Sequence, residues 1–146
     1  MTERSFVDTS VLVYRVDHGE PEKQAVAKQI LDKAPPGTLA LSTQVLQEFY
    51  VVTTGKLAQP LTPQLASEAV EHLNALPVVA TDAELVRSGI DLSRTARLSL
   101  WDSLIVQAAV LARCDRILSE DLQDGVTIEG VRVENPFRRA PPLDSS

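Results

Sequence analysis

The residues best suited to chemistry in this chain are carboxylates. Asp8 closes the run Phe6-Val7-Asp8-Thr9-Ser10-Val11-Leu12, in which apolar residues anchor a polar triplet from both sides. Asp121 follows a second short apolar run, in Ile117-Leu118-Ser119-Glu120-Asp121. Ligands of open parallel sheets gather at the carboxyl ends of strands, so both positions read as the rim of one sheet edge. Glu48 lies in the helical pattern of residues 42–54. At about 100° per residue, Val45, Leu46, Phe49 and Val52 make one apolar arc with Glu48 at its margin. A charge there must be solvated, paired or bound to a metal. Asp102 opens an apolar helix in Ser99-Leu100-Trp101-Asp102, where the helix dipole favours an anion. Four carboxylates in one place raise one another's pKa, and a divalent cation relieves the repulsion. Oxygen-only donors select Mg²⁺ or Mn²⁺ over zinc. A divalent ion held by such a set lowers the pKa of a bound water, so the chemistry it supports is metal-assisted hydrolysis.

Each carboxylate also has a plainer reading. Asp8 or Thr9 can cap the following helix, Glu48 can reach outward to water, and Ser99 with Asp102 resembles a capping box. Asp124-Gly125 reads as a turn, which makes Asp124 more structural than catalytic, and Glu120 is expected to face solvent. His18 and His72 lie away from these motifs, so no histidine is a candidate general base. Phosphoaspartate chemistry is disfavoured on two counts. A phosphatase of the haloacid dehalogenase type needs an aspartate at position 10, which is Ser10. A signalling receiver needs a lysine after a late strand, yet the lysines are Lys23, Lys28, Lys33 and Lys56.

Positioning these groups falls to an alternation of strands and helices. Residues 5–8, 38–42, 77–80 and 116–119 read as strands, and residues 131–133 as a fifth at an edge. Helical patterns run from Pro21 to about Lys33, from Pro63 behind the capping hydroxyl of Thr62, from a Thr81–Glu84 capping box, and from Trp101 to Arg113. The last is apolar around most of its circumference, which predicts a central buried helix. Such alternation predicts an α/β fold whose sheet, mostly parallel and of four to five strands, is covered on both faces.

The 146 residues fit one domain, expected over residues 1–138 with a frayed tail at 139–146. No apolar run approaches a membrane span, and the N-terminus lacks the layout of a signal peptide. Cys114 is the only cysteine, which excludes an intrachain disulfide and favours a cytoplasmic setting. The net charge of −6 opposes contact with a polyanion, yet its distribution is uneven. Arg87, Arg94, Arg97 and Arg113 form a basic group between acid-rich ends. Arg94, Arg97 and Arg15 are candidate phosphate ligands by position, since arginine suits forked hydrogen bonds to phosphate.

Four stretches together resemble the PIN-domain family, in particular VapC-type toxins of bacterial toxin–antitoxin pairs. They are VDTSVL at the start, Glu48 within STQVLQEF, Trp101-Asp102-Ser103-Leu104-Ile105, and ILSEDL containing Asp121. The resemblance runs from about Phe6 to Asn135. It implies a three-layer α/β/α sandwich and an endoribonuclease requiring Mg²⁺ or Mn²⁺. It also implies a cognate antitoxin that blocks the site, and a homodimer. Carried over, Asp8, Glu48, Asp102 and Asp121 form the acidic, metal-holding set, with Ser10 and Ser119 as supporting hydroxyls toward substrate. Ser119 departs from the family's frequent threonine but keeps the hydroxyl, and Asp124 matches a less regular fifth acidic position. Two other readings stay open: a non-toxin relative of RNA-processing or 5′-nuclease type, and an inactive PIN-fold binding module.

Overall fold

Strands buried on both faces of a parallel sheet need apolar residues throughout, and the short runs here meet that need. The computed structural model describes residues 3–138; the expected tail at 139–146 lies outside them. In chain order the elements are β1 (Ser5–Val7), α1 (Thr9–Arg15), α2 (Pro21–Lys33), β2 (Leu39–Ser42), α3 (Thr43–Gly55), α4 (Pro63–Leu73), β3 (Val78–Val79), α5 (Ala83–Ala96), α6 (Leu100–Leu111), β4 (Arg116–Leu118), β5 (Thr127–Ile128) and β6 (Val131–Glu134). Every residue of β1 and β2 is buried.

The sheet runs β3-β2-β1-β4-β6-β5, with β5 alone antiparallel. It therefore has six strands rather than four to five. Residues 131–133, expected at an edge, lie one strand inward, because β5 occupies that edge. The two are joined through Glu129 and Gly130 at φ 53° and 80°, the doubly positive backbone of a tight hairpin turn. A two-residue strand carries no alternation to detect.

Helix starts follow from side-chain caps. Thr62 accepts from the Leu65 amide ahead of Pro63, and Ser99 accepts from the Asp102 amide. The capping box expected at Thr81 is displaced by one residue. Asp82 is the cap and accepts from the Leu85 amide, while the Thr81 amide donates to Thr43 Oγ1. Helix α6 packs on β2, β4 and β6 and is buried through its middle, although Trp101, Val110 and Leu111 emerge at its ends.

Chain order and strand order together locate the crevice. From β1 the chain steps to β2 and then β3 in one direction, using α1–α2 and α3–α4 as crossovers. It then returns through α5–α6 to β4, on the other flank of β1. Right-handed crossovers put the first four helices on one face and the last two on the other, giving three layers. The reversal occurs between β1 and β4. Loops diverge there at the strands' carboxyl ends, which opens a crevice.

Candidate active site

Two of the four sequence-predicted acids flank that crevice directly. Asp8 is the residue after β1, and its amide donates to the Leu118 carbonyl at the end of β4. It is also the cap of α1: Oδ1 accepts from the Thr9 amide at 2.8 Å. The capping and functional readings thus describe one side chain. Its other oxygen, Oδ2, accepts from Ser119 Oγ at 2.7 Å. Ser119 Oγ in turn accepts from the Asp121 and Leu122 amides at 3.0 and 3.2 Å. One buried hydroxyl therefore ties the loop after β4 to the acid after β1.

Glu48 points inward rather than out to water. Thr9 Oγ1 donates to its Oε1 at 2.7 Å, and Gln44 Nε2 approaches Oε2 at 3.4 Å. The same Gln44 amide donates to the Trp101 carbonyl at 3.3 Å, linking Glu48 to the start of α6, where Asp102 stands. The Ser99 half of the expected capping box is formed.

Electrostatics join the four acids. Burial, above all, pushes the Asp8 carboxyl up to about 6; its bonds from Ser119 and Thr9 oppose this, and repulsion from Asp121 and Glu48 adds to it. Asp121 is also raised, by burial first and then by repulsion from Glu120, Asp102 and Glu48. Among the described residues no lysine or arginine forms an ion pair with Asp8, Glu48, Asp102 or Asp121. No three carboxylate, imidazole or thiol groups of the described residues converge tightly enough to enclose an ion as they lie. Mg²⁺ commonly takes one or two protein carboxylates and completes its shell with water and phosphate, so an open acidic set suits it. The donors are all oxygen and their repulsion is uncompensated, which fits a hard divalent cation.

A groove of about 600 Å³ opens beside the acids. Thr9, Glu48 and Asp121 line it with Ser10, Val13 and Val51. Glu120, expected to face solvent, also lines it. Its carboxylate accepts from Tyr14 Oη and Lys23 Nζ, both at 2.6 Å. Burial would raise Glu120, but the bonds from Lys23 and Tyr14 hold it below the usual carboxylate range. Sequence reading missed Tyr14 and Lys23, since nothing in their local pattern signals a partner 106 or 97 residues away.

The remaining candidates divide. Ser10 lines the groove, and its Oγ accepts from the Glu120 amide at 3.1 Å. Ser119 is fully buried, so its hydroxyl orients Asp8 and does not meet a substrate. Arg15 lies at the far end of α1, its guanidinium forked onto Asp32 at 2.8 and 3.1 Å. It lines a separate cavity with His72 and is not brought to the acids. Arg94 and Arg97 are exposed near the α5–α6 junction, Arg97 in the left-handed region at φ 58°. Neither has an ion-pair partner among the described residues. Asp124 is structural: Oδ1 accepts from the Asn135 amide at 2.8 Å and Oδ2 pairs with Arg138.

Comparison with known families decides the class. The PIN domain family model matches residues 5–123, which take in the whole acidic set. The chain belongs to the PIN-domain family. Its solved structural neighbours share the PIN fold at low identity. A toxin–antitoxin complex from Klebsiella pneumoniae superposes with a TM-score of 0.66 at 22% identity, covering 92% of this chain and 99% of that one. A sarcin-ricin loop cleaving VapC toxin from Mycobacterium tuberculosis gives 0.65 at 19% identity, over 80% and 89% of the two chains. The FitAcB structure from Neisseria gonorrhoeae gives 0.64 at 17% identity, over 92% and 99%. No curated protein matches by sequence. Among the described residues, no helix of this PIN domain is long and apolar enough to cross a membrane.

Proposed function

We propose that this PIN-domain chain is an Mg²⁺- or Mn²⁺-dependent endoribonuclease and the toxin of a toxin–antitoxin pair. One observation carries the nuclease reading: four mutually repelling carboxylates, without any paired cation among the described residues, at the crevice between β1 and β4. Asp8, Asp102 and Asp121 would hold the metal with Glu48 beside them. When bound, such an ion lowers the pKa of a coordinated water and offsets charge on the scissile phosphate. The chain's own groups prepare for this. Thr9 holds one Glu48 oxygen closely and Gln44 approaches the other at 3.4 Å, which sets the carboxylate beside the crevice. Ser119 and the Thr9 amide each occupy one Asp8 oxygen and hold the carboxylate in a single orientation. Arg94 and Arg97, both exposed, would take flanking RNA phosphates, and the groove wall of Ser10, Val13 and Val51 would give the strand a floor.

The toxin assignment draws on the neighbours, among them a toxin–antitoxin complex at near full-length coverage and a sarcin-ricin loop cleaving toxin. By the same reasoning a cognate antitoxin would cover the groove, and a homodimer is expected. The test is cleavage of single-stranded RNA with Mg²⁺ or Mn²⁺ by the wild type, Asp8→Asn and Asp102→Asn. The wild type should cut, and each variant should lose about 10²-fold or more in rate, with chelation abolishing all activity. Variants as fast as the wild type would remove these residues from the mechanism. Co-expression with the product of the adjacent upstream reading frame tests the pairing; a toxin's partner should copurify and silence the cleavage.

A further inference from the structure

Besides Glu48 and Asp121, two carboxylates line the groove: Asp17, which accepts from the Gly19 amide, and Glu120, which precedes Asp121. Among the described residues, Glu120 is the one groove-lining acid with an ion-pair partner. Lys23 Nζ donates to Glu120 Oε2 at 2.6 Å and to Tyr14 Oη at 3.1 Å, and lies 4.7 Å from the Tyr14 ring centre. Tyr14 Oη takes the other oxygen, and the Tyr14 ring packs edge-on against Phe137 at 4.8 Å. Ser10 Oγ accepts from the Glu120 amide, so the backbone is held as well. Lys23 stands in the first turn of α2, where the helix dipole disfavours a cation. Its own helix gives no reason for a lysine there; the Glu120 carboxylate against it does.

We propose that Lys23 and Tyr14 mask Glu120, neutralising its charge so that the part of the groove wall beside Asp121 can accept an RNA backbone. This rests on the ribonuclease reading. A divalent ion offsets charge on the four-acid set, whereas among the described residues Glu120 has only Lys23 as an ion-pair partner; Lys56, also on the wall, forms no ion pair with it. Lys23 is thus a positioning residue acting through Glu120, and its worth to the protein is electrostatic. The prediction separates it from a lysine that touches RNA directly. Removing the cation alone should expose an anion to a polyanion, whereas removing both charges should not.

The experiment compares the wild type, Lys23→Met, Glu120→Gln and the double variant, with Lys23→Arg and Tyr14→Phe as conservative controls. Two readouts are taken: KM and kcat for cleavage of a short single-stranded RNA, and Kd for a labelled 2′-O-methyl phosphorothioate oligonucleotide by anisotropy. Lys23→Met should raise KM and Kd by about tenfold with kcat changed far less, and the penalty should shrink as salt rises. The double variant should return both constants to within about threefold of the wild type, and Lys23→Arg should stay near it. Tyr14→Phe, which keeps the packing on Phe137, should show a smaller rise. A double variant as impaired as Lys23→Met would overturn the mask and make Lys23 an RNA contact. Unchanged constants in Lys23→Met would overturn it too. A wild type that cuts no RNA while Kd follows the predicted pattern would sink the ribonuclease reading and leave the mask standing.

Discussion

Replacing Asp8 by asparagine should disable the site and, near neutral pH, strengthen the fold. Asp8 is only 6% exposed, and its carboxyl stands at about 6 instead of the ordinary 3.8. At about 1.4 kcal/mol per tenfold change in proton affinity, that rise means ionised Asp8 costs the folded state about 3 kcal/mol. The sign follows from proton linkage. A carboxyl raised on folding contributes stability below its unfolded pKa, and that contribution is lost as pH climbs through the folded value. Asparagine removes the charge and keeps an acceptor for the Thr9 amide. It also turns an NH₂ toward Ser119, a hydroxyl that already accepts from two amides. That mismatch costs about 1–2 kcal/mol at any pH. The variant should therefore be less stable than the wild type near pH 4 and more stable near pH 8, a swing of about 2.5 kcal/mol. Urea unfolding of both proteins across that range, without divalent ions, reads it directly. Adding Mg²⁺ should then raise the stability of the wild type and leave the variant nearly unmoved. A constant difference between the two proteins at every pH would refute the reasoning, since ionising Asp8 would carry no penalty.

Three further outcomes are expected. Ser119→Ala leaves the Asp121 and Leu122 amides and one Asp8 oxygen without their partner, so unfolding should be easier by about 2–4 kcal/mol by urea titration. The same change should move the acid limb of any pH–rate profile upward, because the Ser119 bond is the larger of the two that oppose the rise of Asp8 on burial. Gly89→Ala gains helix propensity, but its new Cβ would lie 2.7 Å from Leu104 Cδ2 in the α5–α6 contact; a net loss of about 1–2 kcal/mol in thermal or urea unfolding is expected. Cys114 is buried, which lifts its thiol to about 11; iodoacetamide near pH 8 should label it only after urea unfolding, and rapid labelling of the native chain would contradict that.

Residues with a strong local reason were legible in the sequence. Asp8 and Asp121 follow apolar runs too short to be anything but strands, and Pro21, Thr62-Pro63 and Ser99 mark helix starts through capping chemistry that acts within one turn. Glu48 was legible as an anomaly, a charge at the edge of an apolar arc. What pulls it inward, the Thr9 hydroxyl 39 residues earlier, has no local trace. The same holds for Glu120, whose surroundings read as solvent because Tyr14 and Lys23 reach it from other helices. Arg15 misled in the opposite way. Its distance from Asp8 in sequence is small, but α1 carries it about 10 Å along the helix axis, onto Asp32. The β5 edge escaped because two residues and a turn present no periodicity, and the α5 cap slipped by one because Thr81 and Asp82 are both good capping residues.

Ser119 and Asp8 clasp each other across 111 positions of chain. A fragment that ends just before β4 keeps Asp8 and Glu48 but lacks the hydroxyl that aims one and the strand that pairs beside it. The set of the Asp8 carboxylate is therefore a property of two distant stretches docked together, and neither stretch holds it alone.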